Sequence, residues 1–480
     1  MISRSHGHAA IAVALVLVLG ACGGASPSAP TGTPTGSAPG TAPGSAAAGG
    51  DIVVWTLEDN TDRVEAQQAI VDRFTQETGI GVELVALAEG DFSTQLTAAV
   101  AGDTLPDVFA NMSLGFTHQL AADGLTNPAA AAAVVEALGS DTFSQAALDL
   151  VTGADGAPIA VPSDSFVLFV AYRTDLLEAA GLEPPTTFEA MLAGATALNT
   201  GDQAGIVLAT GNDLVFVQQT FEHFAVANGC ELVDDAGAVV IDSPACVETF
   251  QFYADLVNMG SVTGAQDADT TRAAYFAGDA ALIGWSSFLL DELAGLRDDA
   301  LPTCPECEGE SPFLAENSGI VTAIQGPSGS EPAQGGEVVS FAISDSADAA
   351  ASQRFVEFMM SDGYVDWLAI APEGKFPTRL GTADSPTEYA DAWGSLEAGV
   401  DRTAPLGEIY DEATIEALVT SAETIKRWGF AQGQGALAGA VYAETPIPEA
   451  LILVLDGSLS AEEAAQEAKA QVEELADALE

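Results

Sequence analysis

Short apolar stretches alternate with helix-forming stretches along the chain, and this alternation constrains the fold more than any other feature. Residues 51–56 (DIVVWT) predict a short buried strand. Thr61 or Asp62, followed by Glu65, predicts the start of a helix that ends at Gly79. Such alternation is typical of a mainly parallel sheet with helices on both faces. We therefore predict an α/β fold.

The alternation continues beyond this first helix. Residues 80–88 predict a second strand, and residues 91–110 predict a helix, a turn and a third strand, because Pro106 prevents the helix from continuing. A second unit contains a strand at 166–172 and a helix capped by Thr187. The last hundred residues are mostly helical by pattern, so the chain is expected to end in a helical region.

The N-terminal residues predict an export signal and a tether. Residues 9–20 are apolar, follow Arg4 and are too short for a comfortable transmembrane helix. The tetrapeptide LGAC that ends at Cys22 resembles the lipidation site of bacterial lipoproteins; the alternative is an ordinary signal peptide with an incidental cysteine. Residues 23–50 contain only Gly, Ala, Ser, Thr and Pro, a composition typical of a disordered spacer.

The net charge restricts the classes of partner. The formal charge is −57, from 70 Asp and Glu against 13 Lys and Arg. Such an excess repels nucleic acids, phosphates and anionic membrane surfaces, and it is compatible with a neutral or cationic ligand. Two explanations of the excess stay open: a high-salt habitat, and a GC-rich genome whose codons disfavour lysine.

Four cysteines follow the tether. We expect one disulfide between Cys230 and Cys246 and another between Cys304 and Cys307, because export permits disulfides. The alternatives are a four-cysteine zinc site and a redox CxxC motif. Since the fifteen residues between the first two cysteines fit no common zinc-ribbon spacing, we predict no metal site.

Signatures of enzymes are scarce. Beyond the signal only His118 and His223 remain, which leaves little for histidine-based catalysis, and His223 is expected at the surface or half-buried on a helix. HExxH, GxSxG and phosphate-loop motifs are absent from the sequence. We therefore expect neither catalysis nor a cofactor.

Three stretches together resemble one known family. They are residues 156–192 (GAPIAVPSDSFVLFVAYRTDLLEAAGLEPPTTFEAML), 275–293 (YFAGDAALIGWSSFLLDEL) and 355–379 (FVEFMMSDGYVDWLAIAPEGKFPTR). In order and spacing they resemble the extracellular solute-binding proteins of bacterial ABC importers, in the carbohydrate-binding group related to maltose-binding proteins. The chain departs from that pattern at Arg173, where the family usually has Asn, and at Phe188, where it usually has Trp.

The resemblance covers most of residues 51–459 and implies a two-lobed, type II periplasmic-binding-protein-like fold with hinge segments and a helical C-terminal region. It implies a monomer that delivers a sugar or oligosaccharide to an ABC permease. Together with the lipidation site, it predicts a lipid-anchored protein at the extracellular face of the cell membrane or in the periplasm. The expected segments are a signal peptide (1–21), a tether (22–50), lobe 1 (51–161), lobe 2 (162–339), a return to lobe 1 (340–372) and C-terminal helices mostly on lobe 2 (373–480).

The resemblance also places a ligand cleft at loops that follow strands. Sugars need aromatic faces for their C–H surfaces and planar polar groups for their hydroxyls. On that basis the candidate ligand contacts are Trp55, Glu58, Asn111, Asp164, Ser165, Asn212, Trp285, Phe288, Phe376, Arg379 and Trp428. Lys375 lies in the same late turn as Phe376, whereas Trp367 has the helical spacing of a core residue.

Two other functions stay open at this point. In the same architecture, the alternative ligand is a polyamine or another cationic solute, held by carboxylates and cation–π contacts. In a different class, the protein is a lipid-anchored glycoside hydrolase, which requires two carboxylates about 5–10 Å apart beside the sugar.

Overall fold

The computed structural model describes residues 50–153, 156–211, 213–307 and 312–479, so the predictions for the signal, the tether and Cys22 lie outside it. Its strands are β1 (Ile52–Thr56), β2 (Val82–Ala86), β3 (Val108–Met112), β4 (Val161–Arg173), β5 (Leu282–Ser286), β6 (Ser318–Val321), β7 (Gln334–Ile343), β8 (Phe376–Pro377), β9 (Glu397–Ala398), β10 (Ala404–Pro405) and β11 (Ile425–Lys426).

The helices surround these strands and dominate the C-terminal region. They are α1 (Thr61–Thr78), α2 (Phe92–Gly102), α3 (Leu114–Ala122), α4 (Pro128–Leu138), α5 (Gln145–Leu150), α6 (Thr174–Ala180), α7 (Phe188–Leu198), α8 (Leu214–Ala227), α9 (Pro244–Gly260), α10 (Ala268–Phe276), α11 (Leu289–Leu293), α12 (Phe313–Glu316), α13 (Ala349–Met359), α14 (Tyr364–Leu368), α15 (Glu388–Trp393), α16 (Leu406–Ile409), α17 (Glu412–Val419), α18 (Gly435–Glu444), α19 (Pro446–Leu455) and α20 (Ala461–Leu479). Short 3₁₀ turns lie at Glu89–Asp91, Ser140–Thr142, Asp298–Ala300, Pro305–Cys307, Pro372–Gly374 and Thr420–Glu423.

The main sheet is mixed, with the strand order β2-β1-β3-β7-β4-β5. Strand β1 pairs in parallel with β2 and β3, whereas β7 is antiparallel to β3 and to β4, and β4 is antiparallel to β5. The prediction of a mainly parallel sheet is therefore wrong beyond the first three strands. The reason is that β7 returns from the second unit and enters the sheet from the opposite end.

The buried apolar residues of the described chain form three clusters, and the two largest, called the first and second cores below, lie on either side of the region where β4 and β7 pair. The first core contains Phe74 and also Val161, at the start of β4, and Phe341, near the end of β7. The second core contains Phe169, near the end of β4, and Val338, in the first half of β7. These two strands are therefore continuous, buried connections between the cores.

The helix boundaries follow local capping chemistry. Helix α1 is capped by Asn60, whose side chain accepts hydrogen bonds from the backbone N–H groups of Asp62 and Arg63, so the cap lies one residue before the predicted Thr61. The helix ends at Gly79, with φ 77°, as predicted. Thr187 caps α7 as predicted, since its Oγ1 accepts from the Ala190 N–H at 3.1 Å.

His223 departs from its expected exposure. It lies in α8, is 2% exposed, and its Nδ1 accepts a hydrogen bond from the backbone N–H of Gly335 at 3.0 Å. Burial lowers the pKa of His223 to about 3, so the imidazole is neutral in the folded protein. The aromatic residues around it in sequence reflect a helix that is buried nearly all round.

Both expected cysteine pairs form disulfides in the structure, Cys230–Cys246 and Cys304–Cys307. The first pair joins the turn after α8 to the first turn of α9, and both of its cysteines are fully buried in the second core. The second pair closes a single short turn. The zinc-site and redox alternatives are not needed to account for these residues.

In the described part of the chain, no single helix has the length and apolar content to cross a membrane. Helices α18 and α19 reach that length and content only when they are taken together, and they meet at a bend of 47°.

Removal of the longer disulfide should cost more stability than removal of the short one. The chain-entropy model gives about 3 kcal/mol for a sequence separation of 16 and about 2 kcal/mol for a separation of 3. We therefore expect C230A/C246A to lower the urea midpoint more than C304A/C307A, measured by tryptophan fluorescence. An equal or reversed order would show that native-state packing, not loop closure, determines the effect.

Candidate ligand-binding cleft

A cavity of about 690 Å³ opens where β4 and β7 pass from one core to the other. We call it the cleft; its volume is in the range of small-molecule sites. The polar, charged and aromatic residues that line it are Glu58, Arg63, Glu89, Ser93, Asn111, Ser113, Phe116, Gln119, Asp164, Phe166, Gln219, Phe288, Glu337, Lys375, Arg427, Phe430 and Tyr442.

Asp164 occupies the crossing point of β4, directly after a register shift in the pairing with β7. Its Oδ1 accepts hydrogen bonds from Ser163 Oγ at 2.6 Å and from Trp367 Nε1 at 2.7 Å, and its Oδ2 accepts from Lys375 Nζ at 3.3 Å. Asp164 is 1% exposed and Lys375 is 5% exposed. A carboxylate this deeply buried is stable only with such compensation, so its oxygens are largely engaged by protein donors.

Glu337, on β7, connects two sides of the cleft. Its Oε1 accepts from the backbone N–H of Leu114 at 2.8 Å, at the start of α3, and its Oε2 accepts from Arg427. Arg427 also donates to Glu222 Oε1 at 3.0 Å and lies 4.8 Å from the ring centroid of Tyr442. This network fixes the C-terminal segment against the crossing strand.

Arg63, in the first turn of α1, forms a third charged group in the wall. Its guanidinium lies 3.4 Å from Glu58 Oε2 and 3.4 Å from Glu373 Oε1. It also lies 5.8 Å from the ring centroid of Phe288. Helix α1 therefore places a cation in the wall of the cleft, and two carboxylates lie beside this cation.

The charges of the wall nearly cancel. Within the described residues it carries four carboxylates and three cations, although the whole chain has a net charge of −57. Among these residues, Glu89 is the lining carboxylate without an ion pair, and burial raises its pKa, with further contributions from Glu337 and Asp59. The cleft is therefore almost neutral inside a strongly acidic protein.

Aromatic rings face the cleft between these charged groups. Phe116 lies on α3, Phe166 on β4, Phe288 directly before α11, and Phe430 and Tyr442 in the C-terminal segment. Phe166 and Phe288 pack with their ring centroids 5.4 Å apart. The wall thus presents flat apolar faces next to hydrogen-bonding groups.

Helices α3 and α18 meet at the edge of the cleft. A Cβ added at Gly115 would lie 3.7 Å from the Gly439 Cα, so the two backbones approach closely at these glycines. His118 packs at the same contact, with its Nε2 2.8 Å from the carbonyl oxygen of Leu150, and burial lowers its pKa. The small residues of α18 therefore allow it to form part of the wall.

The structure brings together four of the predicted ligand contacts, Glu58, Asn111, Asp164 and Phe288, because all four line the cleft. Asn212 lies outside the described residues.

The two tryptophans predicted from strand ends lie elsewhere. Trp55 packs edge-on against Phe109, at a centroid distance of 6.1 Å, and Trp285 packs against Phe216 at 4.8 Å. Neither is among the lining residues in the described part of the chain.

Three more predicted contacts are buried behind the wall. Ser165 is fully buried, Phe376 packs against Trp393 at 4.9 Å, and the indole of Trp428 donates to the Cys230 carbonyl at 2.8 Å. Phe376 and Trp428 belong to the second core, and none of the three residues is among those that line the cleft in the described part of the chain.

Arg379 is likewise buried, at 4% exposed. Its guanidinium donates to Thr142 Oγ1 at 3.0 Å and to the backbone carbonyls of Leu138 and Met360. Arg379 therefore connects the segment after β8 to the end of α4, and it is not among the described residues that line the cleft.

Sequence reasoning missed several wall residues, including Arg63, Phe116, Glu337, Arg427 and Tyr442. One signal was available for the cations. Because the chain contains only 13 Lys and Arg, each of these residues is a candidate for a buried ion pair. The residues on α3 and α18 had no comparable local signal.

Behind Phe288, helix α11 holds an unusual carboxylate. Asp291 is fully buried, and neither of its oxygens has a hydrogen-bond partner among the described residues. Burial, with the nearby carboxylates of Glu373 and Glu292, raises the pKa of Asp291 to about 8. Burial in this carboxylate cluster therefore favours the protonated form of Asp291 in the folded protein.

Within residues 50–153, 156–211, 213–307 and 312–479, no group of three or more His, Cys, Asp or Glu side chains is arranged to hold a metal ion.

Two cores joined by crossing strands, with a walled cleft at the crossing, define a two-lobed ligand-binding protein. Residues 59–366 match the family of bacterial extracellular solute-binding proteins. Because this match spans well over half of the sequence, the chain belongs to that family, and the family predicted from the sequence is confirmed.

Known relatives support the same assignment. YcjN of Escherichia coli strain K12, an ABC transporter periplasmic-binding protein by its description, is 25% identical over 326 residues, which are 66% of this chain and 70% of YcjN. The GacH receptor of Streptomyces glaucescens has a TM-score of 0.65 at 20% identity, over 89% of this chain and 98% of GacH. The cyclic α-maltosyl-1,6-maltose binding protein of Arthrobacter globiformis has a TM-score of 0.66 at 20% identity, over 88% of this chain and 98% of that protein. These two structures confirm the predicted α/β, two-lobed fold.

Protonation of Asp291 predicts that stability falls as the pH rises from about 4 to about 8. The unfolded chain releases this proton near pH 4, whereas the folded protein keeps it up to about pH 8, so stability falls as pH rises between these values. We expect Asp291→Asn to lose less stability than wild type between pH 5 and pH 8, by on the order of 2 kcal/mol. Thermal or urea unfolding at the two pH values measures this.

The matched control is Asp477→Asn, the same change at an exposed position of α20. It should follow the wild-type pH dependence. Parallel curves for wild type and Asp291→Asn would mean that Asp291 is ionised in the folded state.

Proposed function

We propose that this protein captures a neutral saccharide in the cleft and hands it to a membrane permease of an ABC transporter. One observation carries the proposal: three cation–carboxylate pairs and a set of aromatic rings line the same cavity. The cleft offers donors, acceptors and apolar faces with little net charge.

This chemistry suits a polyhydroxylated ring. Each sugar hydroxyl both donates and accepts, so a wall in which carboxylates alternate with cations and amides offers partners for both roles. The C–H faces of the sugar are apolar and pack against aromatic rings such as Phe166 and Phe288. Among the relatives, GacH has been solved with acarbose, and the Arthrobacter protein binds a cyclic maltosyl-maltose, which supports a saccharide here.

A polyamine fits this wall less well. It requires free carboxylates, whereas Glu58, Asp164 and Glu337 each lie beside a cation of the protein. Only Glu89 lacks such a pair among the described lining residues. A cationic ligand would have to compete with Arg63, Lys375 and Arg427.

The arrangement of two cores joined by β4 and β7 supports a proposal of capture by closure. We propose that lobe 1 comprises residues 51–161 and 340–372, that lobe 2 comprises 162–339 with most of 373–480, and that the lobes close about the crossing of β4 and β7. Cys22 would carry the lipid that keeps the receptor near its permease, and residues 23–50 would serve as the tether.

A thermal-shift screen tests the ligand class. The panel is maltose, maltotriose, lactose, spermidine, putrescine and glutamate, at 0.15 M and 2 M NaCl. A ligand at 100 times its Kd adds about 2.7 kcal/mol to stability, so we expect at least one saccharide to raise the melting temperature. If only the polyamines raise it, the ligand is cationic; if chromatography detects cleavage of the bound saccharide, the protein is a hydrolase.

A paired aromatic substitution tests the site. Phe288 lines the cleft beside Arg63, and Phe313 is a second half-buried phenylalanine beside an arginine, Arg173, at 5.0 Å, outside the described lining. We expect Phe288→Leu to weaken saccharide binding by about 3–10-fold, the usual range for an aromatic contact. Isothermal titration calorimetry measures this, and Phe313→Leu should bind like wild type. Equal effects of the two changes would place the saccharide elsewhere.

A further inference from the structure

Asn111 stands out in the cleft because its backbone is unusual. It has φ 59°, in the left-handed region that only Gly, Asn and Asp adopt with any frequency, and it lies in β3 at a shift of the register with β7. Bulges of this kind aim a side chain away from the regular direction of a strand. Here the side chain of Asn111 lines the cleft.

The contact with Lys375 determines the orientation of this amide. Lys375 Nζ lies 3.1 Å from Asn111 Oδ1, and an ammonium group has donors and no acceptor. The oxygen of the amide must therefore face Lys375, which leaves the Nδ2 group directed away from it. In the described part of the chain, Nδ2 donates to no other group.

Lys375 is itself held in place from behind. Its Nζ lies 3.3 Å from Asp164 Oδ2 and 4.2 Å from the ring centroid of Trp367, and only 5% of the residue is exposed. The charge thus lies in the floor of the cleft, with most of its surface buried, and contacts Asn111 there. A hydrogen bond from a cation to an amide oxygen polarises the amide and strengthens its N–H groups as donors.

We infer that Lys375 is a positioning residue that fixes Asn111 as a directed donor, and that this donor selects a ligand with an acceptor oxygen at that point. The inference deepens the proposed saccharide function and rests on it. Asp164 supports the donor indirectly, because its carboxylate orients Lys375.

An asparagine-to-aspartate change separates this role from a structural one. In Asn111→Asp the contact with Lys375 is kept, now as an ion pair, and aspartate tolerates the left-handed backbone. The group that faces the cleft changes from a donor to an acceptor, and the side chain gains one negative charge beside Lys375. If the role of Asn111 were purely structural, the Asn111→Asp variant would therefore bind ligand with the same Kd as the wild type.

The probe is the saccharide of the panel above that raises the wild-type melting temperature most, and its Kd is measured by isothermal titration calorimetry. We expect Asn111→Asp to bind it at least tenfold more weakly with an unchanged melting temperature. The matched control is Asn127→Asp, the same change at the cap of α4, where Oδ1 accepts from the Ala130 N–H; its Kd should stay within twofold of wild type.

Lys375 is tested through its coupling to Asn111. Lys375→Met frees the amide to rotate, so we expect weaker binding, largely restored by Lys375→Arg. The fold-loss of affinity in the double variant Asn111→Asp/Lys375→Met should be smaller than the product of the two single fold-losses. The reason is that both substitutions remove the same directed donor. Independent losses would overturn the positioning role. Should Lys375→Met fail to fold, the comparison of Asn111→Asp with Asn127→Asp decides.

The outcomes distinguish this inference from the proposed function. Wild-type binding of a saccharide with an unaltered Kd in Asn111→Asp overturns the inference and leaves the proposed function intact. A wild-type protein that binds no saccharide overturns both.

Discussion

The buried carboxylate of Asp164 is the interaction on which the geometry of the cleft depends. It lies where β4 leaves one core for the other, and it accepts hydrogen bonds from Ser163, Trp367 and Lys375. Burying a carboxylate away from water costs several kcal/mol of free energy unless hydrogen-bond donors replace its hydration. Because moving any of the three donors away would incur part of that cost, all three are held in place. The crossing strand, helix α14 and the turn before β8 consequently share one fixed point.

Because of ion pairs in its wall, the local charge of the cleft differs from the net charge of the protein. Of only 13 Lys and Arg in the chain, three line the cleft, each beside a carboxylate. The remaining acidic excess lies mainly at the surface, where water and salt screen it. The net charge of the protein therefore does not describe the charge inside the cleft, where each of the three cations lies beside a carboxylate.

The sequence predicted those cleft residues whose position depends on a nearby strand end. It did not predict residues that reach the cleft through tertiary packing. Glu58, Asn111 and Phe288 follow or end strands, so a rule about strand ends found them. Tyr442 enters the wall because α18 packs against α3 at two glycines, Gly115 and Gly439, which are 324 residues apart in sequence. The mixed sheet was missed for the same reason, since the direction of β7 depends on the path of the whole second unit.

Trp367 shows why a division into core and site residues is too simple. Its spacing predicted a core residue, and it is 1% exposed and packs against Phe341 at 5.1 Å. Yet its indole N–H reaches Asp164, and Lys375 lies over its ring. A tryptophan has one polar edge on a large apolar body, so it can complete a core and orient a polar network at once. The first core therefore extends, through this ring, to the floor of the cleft, and packing changes around α14 act directly on the positions of Asp164 and Lys375.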